Sequence, residues 1–525
     1  MAMEKRKYSF NPTKSGLCFL AVVWLGTFGC QSEQEPMKVP EGAVAGDLFM
    51  EPCSHERNGE QLKADCGVLV VPENRSDHSS RLIALPVKRI YGSGSNPVPI
   101  FQLNGGPGQS NMNVWPDGVR DLVAVGYRGM DGTVKLSCPE IGEAFAEAPG
   151  GLLSRESLSN ITKAYSACAQ NLKERDIDID GYTVSEVIAD MEAARVGLGY
   201  DRVDLISGSY GTRVAMIYAW MHPQSIHRAV LVGVNTPGRC IWDPKVTDAQ
   251  IQSLARLYAQ EKGLSPEDVI EDLRRVAQNM PGQWLFLEVD PGYVKSVTFN
   301  LLYDVGNAGV VFDAWLAAAD GDWSGLALMT LAAKIIFPSA VNWGENIAKT
   351  MSIDYAEYDP GRDYFSEYDP PNSILGAPMS MMGWAARAGW PSNLISEEYL
   401  QVQPSDVEML LIGGNVDLAS PVENARDDLL PHLSRGQQVI ISDCGHVVDV
   451  WDLQPDATAH LVSTFYETGE VDDSRFTHLP ITFDVSWGFP LMAKIGVAMI
   501  VLIVLGLALL IFFVGRRVRR AVNRD

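Results

Sequence analysis

The stretch Val203-Asp-Leu-Ile-Ser-Gly-Ser-Tyr-Gly-Thr212 decides how the rest of the chain is read. It reads as a strand that runs into a helix through Ser207-Gly208-Ser209-Tyr210-Gly211. Such a turn is strained. It needs small residues two before and two after its central serine, because a bulky Cβ would collide with the neighbouring strand or helix. Ser207 and Gly211 meet that need. The turn lifts Ser209 above the sheet and points the backbone N–H of Tyr210, at the start of a helix, to where an oxyanion would form.

Upstream, Asn104-Gly105-Gly106-Pro107-Gly108 follows the strand expected at Pro99–Leu103. Consecutive glycines let a backbone approach a ligand closely, so this loop is the candidate for a second oxyanion donor. Downstream, Asp417 lies in Gly413-Gly-Asn-Val-Asp-Leu-Ala-Ser-Pro421 and His446 in Cys444-Gly-His446, each just beyond an apolar strand. The order Ser209, Asp417, His446 places a nucleophile, an orienting carboxylate and a general base at strand ends.

The surrounding pattern agrees. Strands are expected at Gly67–Val71, Leu82–Ile90, Pro99–Leu103, Leu122–Tyr127, Val203–Ser207 and Ala229–Val234, with helices at Glu186–Leu198 and Gly211–Trp220. This alternation predicts an α/β fold with a mostly parallel sheet. From Pro237 to Gln403 helical patterns dominate, as in Asp248–Glu261 and Glu267–Gln278, and seven of the twelve tryptophans fall there. Strand character returns at Glu408–Ile412 and Gln438–Ser442, with a helix expected around Val422–Leu429, so the helical block is an insertion into one α/β domain.

The order Cys66-Gly-Val-Leu-Val-Val-Pro72, Gly105-Gly-Pro-Gly108, Arg128-Gly129, Asp190-Met-Glu-Ala-Ala-Arg195 with Leu198-Gly-Tyr200, then Gly208-Ser-Tyr-Gly-Thr212, resembles the prolyl iminopeptidase and tripeptidyl aminopeptidase family of α/β-hydrolases. Gly414 to Pro421 and Gly445-His446 complete the resemblance, which covers about 60–235 and 405–465. It implies a serine peptidase with a Ser209–Asp417–His446 triad, an oxyanion hole from the amides of Gly106 and Tyr210, a helical cap, and hydrolysis near a peptide's free N-terminus. Three positions depart from the family pattern: Asn104 stands where His is usual, Gly126 where Asp is common, and Ser207 where the turn usually has its first Gly. In this family cap carboxylates hold the substrate's amino group. Ile353–Pro371, with Asp354, Glu357, Asp359, Asp363, Glu367 and Asp369 against Arg362 alone, reads either as such a set or as a solvated lid loop.

Length and charge place the domain. The chain's 525 residues exceed one small module, and 46% hydrophobic against 20% charged residues excludes global disorder. A net charge of −23 excludes a nucleic-acid partner, whose phosphates would need Lys and Arg. That charge splits into +3 over 1–30, +5 over 491–525 and −31 between them. The basic N-terminus, the apolar run Leu17–Leu25 and Thr27-Phe-Gly-Cys30 read as a signal peptide with a lipidation candidate at Cys30, or as a signal with an incidental cysteine. Ile495–Val514 has no charge over twenty residues, enough to cross a bilayer, and the arginines from Arg516 to Arg520 put the tail in the cytoplasm.

Apart from Cys18 and Cys30, six cysteines remain in this exported segment: Cys53, Cys66, Cys138, Cys168, Cys240 and Cys444. Of fifteen possible connectivities the expected one is 53–66, 138–168 and 240–444. The cysteine and histidine spacings predict no metal site, and neither a metal nor an organic cofactor is expected. Asp176-Ile-Asp-Ile-Asp180-Gly181 imitates a calcium loop but has Val187 at the twelfth position, and reads as a turn.

The expected organisation is a signal peptide over 1–30, a tether over 31–59, an α/β-hydrolase domain over 60–237 and 404–468, a helical cap over 238–403, a juxtamembrane linker over 469–494, a transmembrane helix over 495–514 and a basic tail over 515–525. The expected function is a membrane-tethered, extracytoplasmic serine aminopeptidase acting on peptides. An esterase or lipase acting on small esters with the same triad is the alternative, and a surface binding protein that lost catalysis is the reading from outside enzymology.

Overall fold

The computed structural model describes residues 37–57, 59–94, 96–115 and 118–522. The signal peptide expected over 1–30, with Cys30, lies outside the described residues. In chain order the strands are β1 (Leu48–Arg57), β2 (Glu60–Pro72), β3 (Leu82–Ile90), β4 (Ile100–Leu103), β5 (Leu122–Val125), β6 (Val203–Gly208), β7 (Ile226–Val232), the hairpin β8 (Gln283–Trp284) and β9 (Leu287–Glu288), β10 (Glu408–Gly414) and β11 (Gly436–Ile441). All but the hairpin form one nine-stranded sheet in the order β1-β2-β3-β5-β4-β6-β7-β10-β11. From β5 to β11 neighbouring strands are parallel, while β1, β2 and β3 add an antiparallel edge. Every residue of β4 and β5 is buried, as expected where helices cover both faces of a parallel sheet.

Helices α1 (Pro139–Glu147), α2 (Arg155–Glu174), α3 (Val184–Gly197) and α4 (Tyr210–Met221) belong to the first part of the domain. Between β7 and β10 the chain forms α5 (Pro244–Lys262), α6 (Pro266–Asn279), α7 (Pro291–Leu301), α8 (Ala308–Ala319), α9 (Ser324–Ile336), α10 (Trp343–Met351), α11 (Tyr364–Tyr368) and α12 (Pro378–Gly389). Local chemistry starts several of them. Asp243, Ser265 and Asp290 each accept a backbone N–H in the first turn and are followed by proline at the first helical position. After β11 come α13 (Val447–Asp452), α14 (Pro455–Thr468) and α15 (Phe489–Val522). Instead of a regular helix, Val422–Leu429 holds a single π-helical turn at Asn424–Leu429.

Four expectations change. Residues 48–57 of the expected tether are β1, paired along its whole length with β2. The expected linker is a packed strap. His478 pairs with Asp443 at 2.8 Å, Phe483 is buried against Tyr258 and Phe312, and Lys262 meets Asp484 at 2.8 Å. Cysteines 53–66 and 138–168 form disulfides as expected, but Cys240 and Cys444 are free thiols. Cys444 is buried in the core beside β10 and β11, whereas Cys240 faces the Asn235 carboxamide at 3.6 Å. Burial pushes the Cys240 thiol up to about 12, so it stays protonated. Finally, α15 begins before the span expected at 495–514: within Phe489–Arg517 the most apolar 18 residues have a mean hydropathy of 3.3, and none of them is buried.

The motif residues Arg128 and Asp190 hold the first half together. Fully buried Arg128 donates from Nε to Asp190 Oδ2 at 2.6 Å and from Nη2 to Oδ1 at 2.7 Å. Its Nη1 reaches the carbonyls of Glu73 and Gly181 at 2.7 and 2.6 Å. Removing Asp190 leaves buried Arg128 with Glu186, 3.0 Å from its Nη1, as its remaining carboxylate, and takes from Arg75 its 2.7 Å pairing with Asp190. Asp190→Ala is therefore expected to lower unfolding stability by about 3–5 kcal/mol, read by denaturant unfolding of the full chain in detergent. A loss below about 1 kcal/mol would show that Glu186 and the carbonyls together satisfy Arg128.

Candidate active site

Strand β6 delivers Ser209 into the turn that leads to α4. Ser209 has φ 52° and ψ −123°, the left-handed geometry of a strained functional turn. Its N–H donates to the Val232 carbonyl at 2.9 Å. The close packing explains the small neighbours: a Cβ on Gly105 would lie 2.8 Å from that of Ser209, and one on Gly211 would strike the Leu103 carbonyl. Ser207 is accommodated in place of glycine because its hydroxyl donates to the Val230 carbonyl at 3.1 Å.

At the ends of β10 and β11 the structure brings Asp417 and His446 together. His446 Nδ1 lies 2.7 Å from Asp417 Oδ2, with His446 7% and Asp417 0% exposed. The other carboxylate oxygen accepts the N–H groups of Ala419 and Ser420 at 2.8 and 2.9 Å, which fixes the rotamer that faces the imidazole. His446 Nε2 is buried and has no hydrogen-bond partner among the described residues. The imidazole packs on the end of β7, where a Cβ on Gly233 would come within 2.9 Å of His446 Cε1. Ser209 is bonded to the residue before that glycine, so serine and imidazole converge on the same strand end.

The glycine loop reaches the same place. Gly106 has φ 69°, and its amide and that of Tyr210 donate to no protein acceptor among the described residues. Asn104 works within the loop's own scaffold: its Oδ1 accepts from Gln102 at 2.9 Å, its Nδ2 donates to the Asn113 carbonyl at 2.8 Å, and its carbonyl accepts from the Tyr127 hydroxyl at 3.0 Å. The space beside Gly126 is filled by Asp131, whose carboxylate accepts the Tyr127 and Asn111 N–H groups at 2.9 and 3.1 Å.

The helical insertion grips this machinery from three sides, through Asp354, expected instead to face substrate or solvent, and through residues to which the sequence reading gave no role. At the glycine loop, the Asn342 N–H donates to the Gly108 carbonyl and Asn346 Nδ2 to the Pro107 carbonyl, both at 2.9 Å, while fully buried Glu345 accepts the Gly108 N–H. Burial pushes the Glu345 carboxyl up, and Lys349 at 3.4 Å opposes that shift. On α4, Arg213 pairs with Asp354 and with Asn235, all buried. At the histidine loop, the His446 N–H donates to the Tyr303 carbonyl at 2.8 Å. Asp449 Oδ2 there accepts from Gly445 at 2.7 Å and from Val305 at 3.1 Å. A long insertion carries no local signal for such contacts. Asn342-x-x-Glu345, a helix-capping pattern, is the one cue that was available.

The acidic stretch 353–371 is not a free array. Asp354 is tied to Arg213, Glu367 to Arg362 and Asp369 to Lys295, and Asp363 caps α11. Among the described residues no group of three or more His, Cys, Asp or Glu is arranged to hold a metal ion. The turn containing Asp176–Gly181 is a short 3₁₀ segment capped by Asp178.

Burial and the nearby charge of Asp304 push the Asp449 carboxyl up to about 7, against the two N–H bonds that pull it down. Between the ordinary carboxylate range and pH 7 the folded chain thus holds a proton that the unfolded chain releases, and this group's contribution to stability falls as pH rises. Asp449→Asn removes the titration and keeps an acceptor for the loop. Its Tm relative to wild type is expected to rise by roughly 2–4 °C or more between pH 4.5 and 7.5 in a thermal scan. A difference that stays constant with pH would refute this assignment.

Parallel sheet, serine-bearing turn and chain order together define an α/β-hydrolase fold. Residues 153–281, which include the Ser209 turn, match the family model for the alpha/beta hydrolase fold. The chain is a serine hydrolase. It is similar to a tripeptidyl aminopeptidase of Streptomyces lividans, 23% identical over 79% of this chain and 83% of that protein. It is also similar to the serine protease Hip1 of Mycobacterium tuberculosis, 27% identical over 40% of this chain and 39% of that protein. Among solved structures, the α/β-hydrolase MGS-M2 from a deep-sea metagenome library overlies 74% of this chain and 96% of its own, with 14% identity and a TM-score of 0.35.

Proposed function

We propose that the chain is a membrane-tethered aminopeptidase whose catalytic domain lies outside the cytoplasm and which releases short N-terminal pieces from peptides. Ser209 attacks the scissile carbonyl while His446 Nε2 takes its proton, and Asp417 holds the imidazole in the required tautomer. The amides of Gly106 and Tyr210 receive the oxyanion. His446 then protonates the leaving amine, and a water that it activates hydrolyses the acyl-enzyme. The observation that carries the reading is the buried Asp417–His446 pair with an unpartnered Nε2, converging with Ser209 on the end of β7. The similarity to a tripeptidyl aminopeptidase and a serine protease favours peptides over esters. Helix α15 is the anchor, and the arginines at its far end put that end in the cytoplasm.

The test is a panel of fluorogenic aminoacyl and tripeptidyl amides beside short- and long-chain esters, turned over by the full chain in detergent. Amide turnover that disappears when the N-terminus is acetylated is the expected result. Ester turnover with no amide turnover would reject the peptidase reading in favour of an esterase or lipase.

A further inference from the structure

We infer that the corner between α8 and α9 of the helical insertion sits in the lipid headgroup layer, so that the bilayer surface is the partner of this face; the inference rests on reading α15 as a membrane span. Helix α15 does not leave the domain on a loose tether. Phe489, Met492 and Ala493 are buried, and the Pro490 ring lies 3.0 Å from where a Cβ on Gly325 would be. The Lys494 ammonium meets Asp322 at 2.5 Å. The strap before it runs along α8, with Val485 against Gly309 and Gly488 against Asp313. Strap and helix therefore follow α8 from its start towards the turn at 320–323, and the helix passes that turn at Lys494.

Length fixes the depth. The charge-free part of α15, residues 495–515, has 21 residues, or about 31 Å at ~1.5 Å per residue, and the helix adds six residues before it and seven after it. A hydrocarbon core is ~30 Å thick, and a bilayer with its headgroup layers ~40–45 Å. The helix thus spans the whole bilayer, and its first turns, docked on the insertion, occupy the headgroup zone. The side of α15 turned away from the insertion agrees. Leu491 and Ile495, one turn apart, are 45% and 37% exposed, and Trp487, in the strap just before the helix, is 51% exposed, where tryptophan is usual at a membrane interface. Of the two acidic residues in the turn at 320–323, Asp322 is neutralised by Lys494 and Asp320 is exposed.

This orientation bounds the height of the catalytic site. Tyr303 and Val305 hold the histidine loop, and α8 carries the chain from there to the corner in 12 residues, about 18 Å. With the short 3₁₀ segment between them, His446 stands no more than roughly 25–30 Å from the headgroups. An extended peptide covers that distance in about eight residues at ~3.3–3.6 Å each. The enzyme thus works on peptide ends close to the membrane surface, and the N-terminal ends of the parallel strands β4 to β7, β10 and β11 face away from it.

The experiment uses the full chain in liposomes containing headgroup-nitroxide lipids. A fluorophore is placed on Asp320→Cys at the corner or on Asp201→Cys at the opposite end of β6, and the unsubstituted chain corrects for labelling of Cys240 and Cys444. At least threefold stronger quenching at 320 than at 201, in protein that resists alkaline carbonate extraction, is the expected result. Equal quenching, or stronger quenching at 201, in carbonate-resistant protein would overturn the orientation while leaving the span intact. Extraction by carbonate would overturn the span, and the orientation with it. The peptidase reading is unaffected by either outcome, since neither label touches the catalytic groups.

Discussion

Ser209→Ala lowers kcat/KM by roughly 10⁴- to 10⁶-fold on every substrate the wild type turns over, with no change in Tm. The size follows from the proposed chemistry, because without the hydroxyl no acyl-enzyme forms and only binding and oxyanion stabilisation remain. The unchanged Tm follows from the structure. Alanine keeps the Cβ that already sits at φ 52°, and among the described residues no hydrogen bond of the Ser209 hydroxyl holds the turn, which is fixed by the Ser209 N–H on Val232. A steady-state assay on the best amide or ester substrate, beside a thermal scan, reads both. Residual activity within about tenfold of wild type would mean that another group carries the nucleophile.

Asp417→Asn has the next largest effect, a fall in kcat of about 10⁴-fold with KM nearly constant. The carboxylate is bonded on both sides: Oδ1 takes the Ala419 and Ser420 amides, and Oδ2 faces His446 Nδ1. An asparagine keeps its oxygen on the two amides and turns its NH2 toward the imidazole. Nδ1 must then accept, the ring proton moves to Nε2, and Nε2 can no longer take a proton from serine. The geometry survives while the tautomer is wrong, so substrate affinity is retained. A KM rise that matched the loss in kcat/KM would assign Asp417 to substrate binding instead.

Much of this was legible because the decisive features are local. The turn at 207–211, the apolar runs that became β4, β6, β7 and β10, and the charge-free stretch inside α15 each carry their own physical signature. Strand β1 was missed because it lies at the sheet edge and is largely exposed. Its Glu51, Glu56 and Arg57 read as tether, although the Cys53–Cys66 disulfide pins it to β2. The 240–444 pairing failed because an even count says nothing about which cysteines approach: Cys240 opens the insertion, and Cys444 faces the core beneath the histidine loop. The three grips of the insertion, through Glu345, Asp354 and Tyr303, were invisible for the same reason. Each joins residues more than a hundred positions apart. The strap at 469–488 looked like a linker because it is polar, yet Ile481 and Phe483 anchor it in the core.

The central claim is that Ser209 is the nucleophile of an α/β-hydrolase site assembled from three strand ends and held by the insertion. Its most direct test is reaction of the folded full chain with a fluorophosphonate, followed by peptide mass spectrometry. One phosphonyl adduct on Ser209, formed slowly or not at all in Asp417→Asn, is the predicted result. No adduct on folded wild-type protein, or an adduct on another serine, would contradict it.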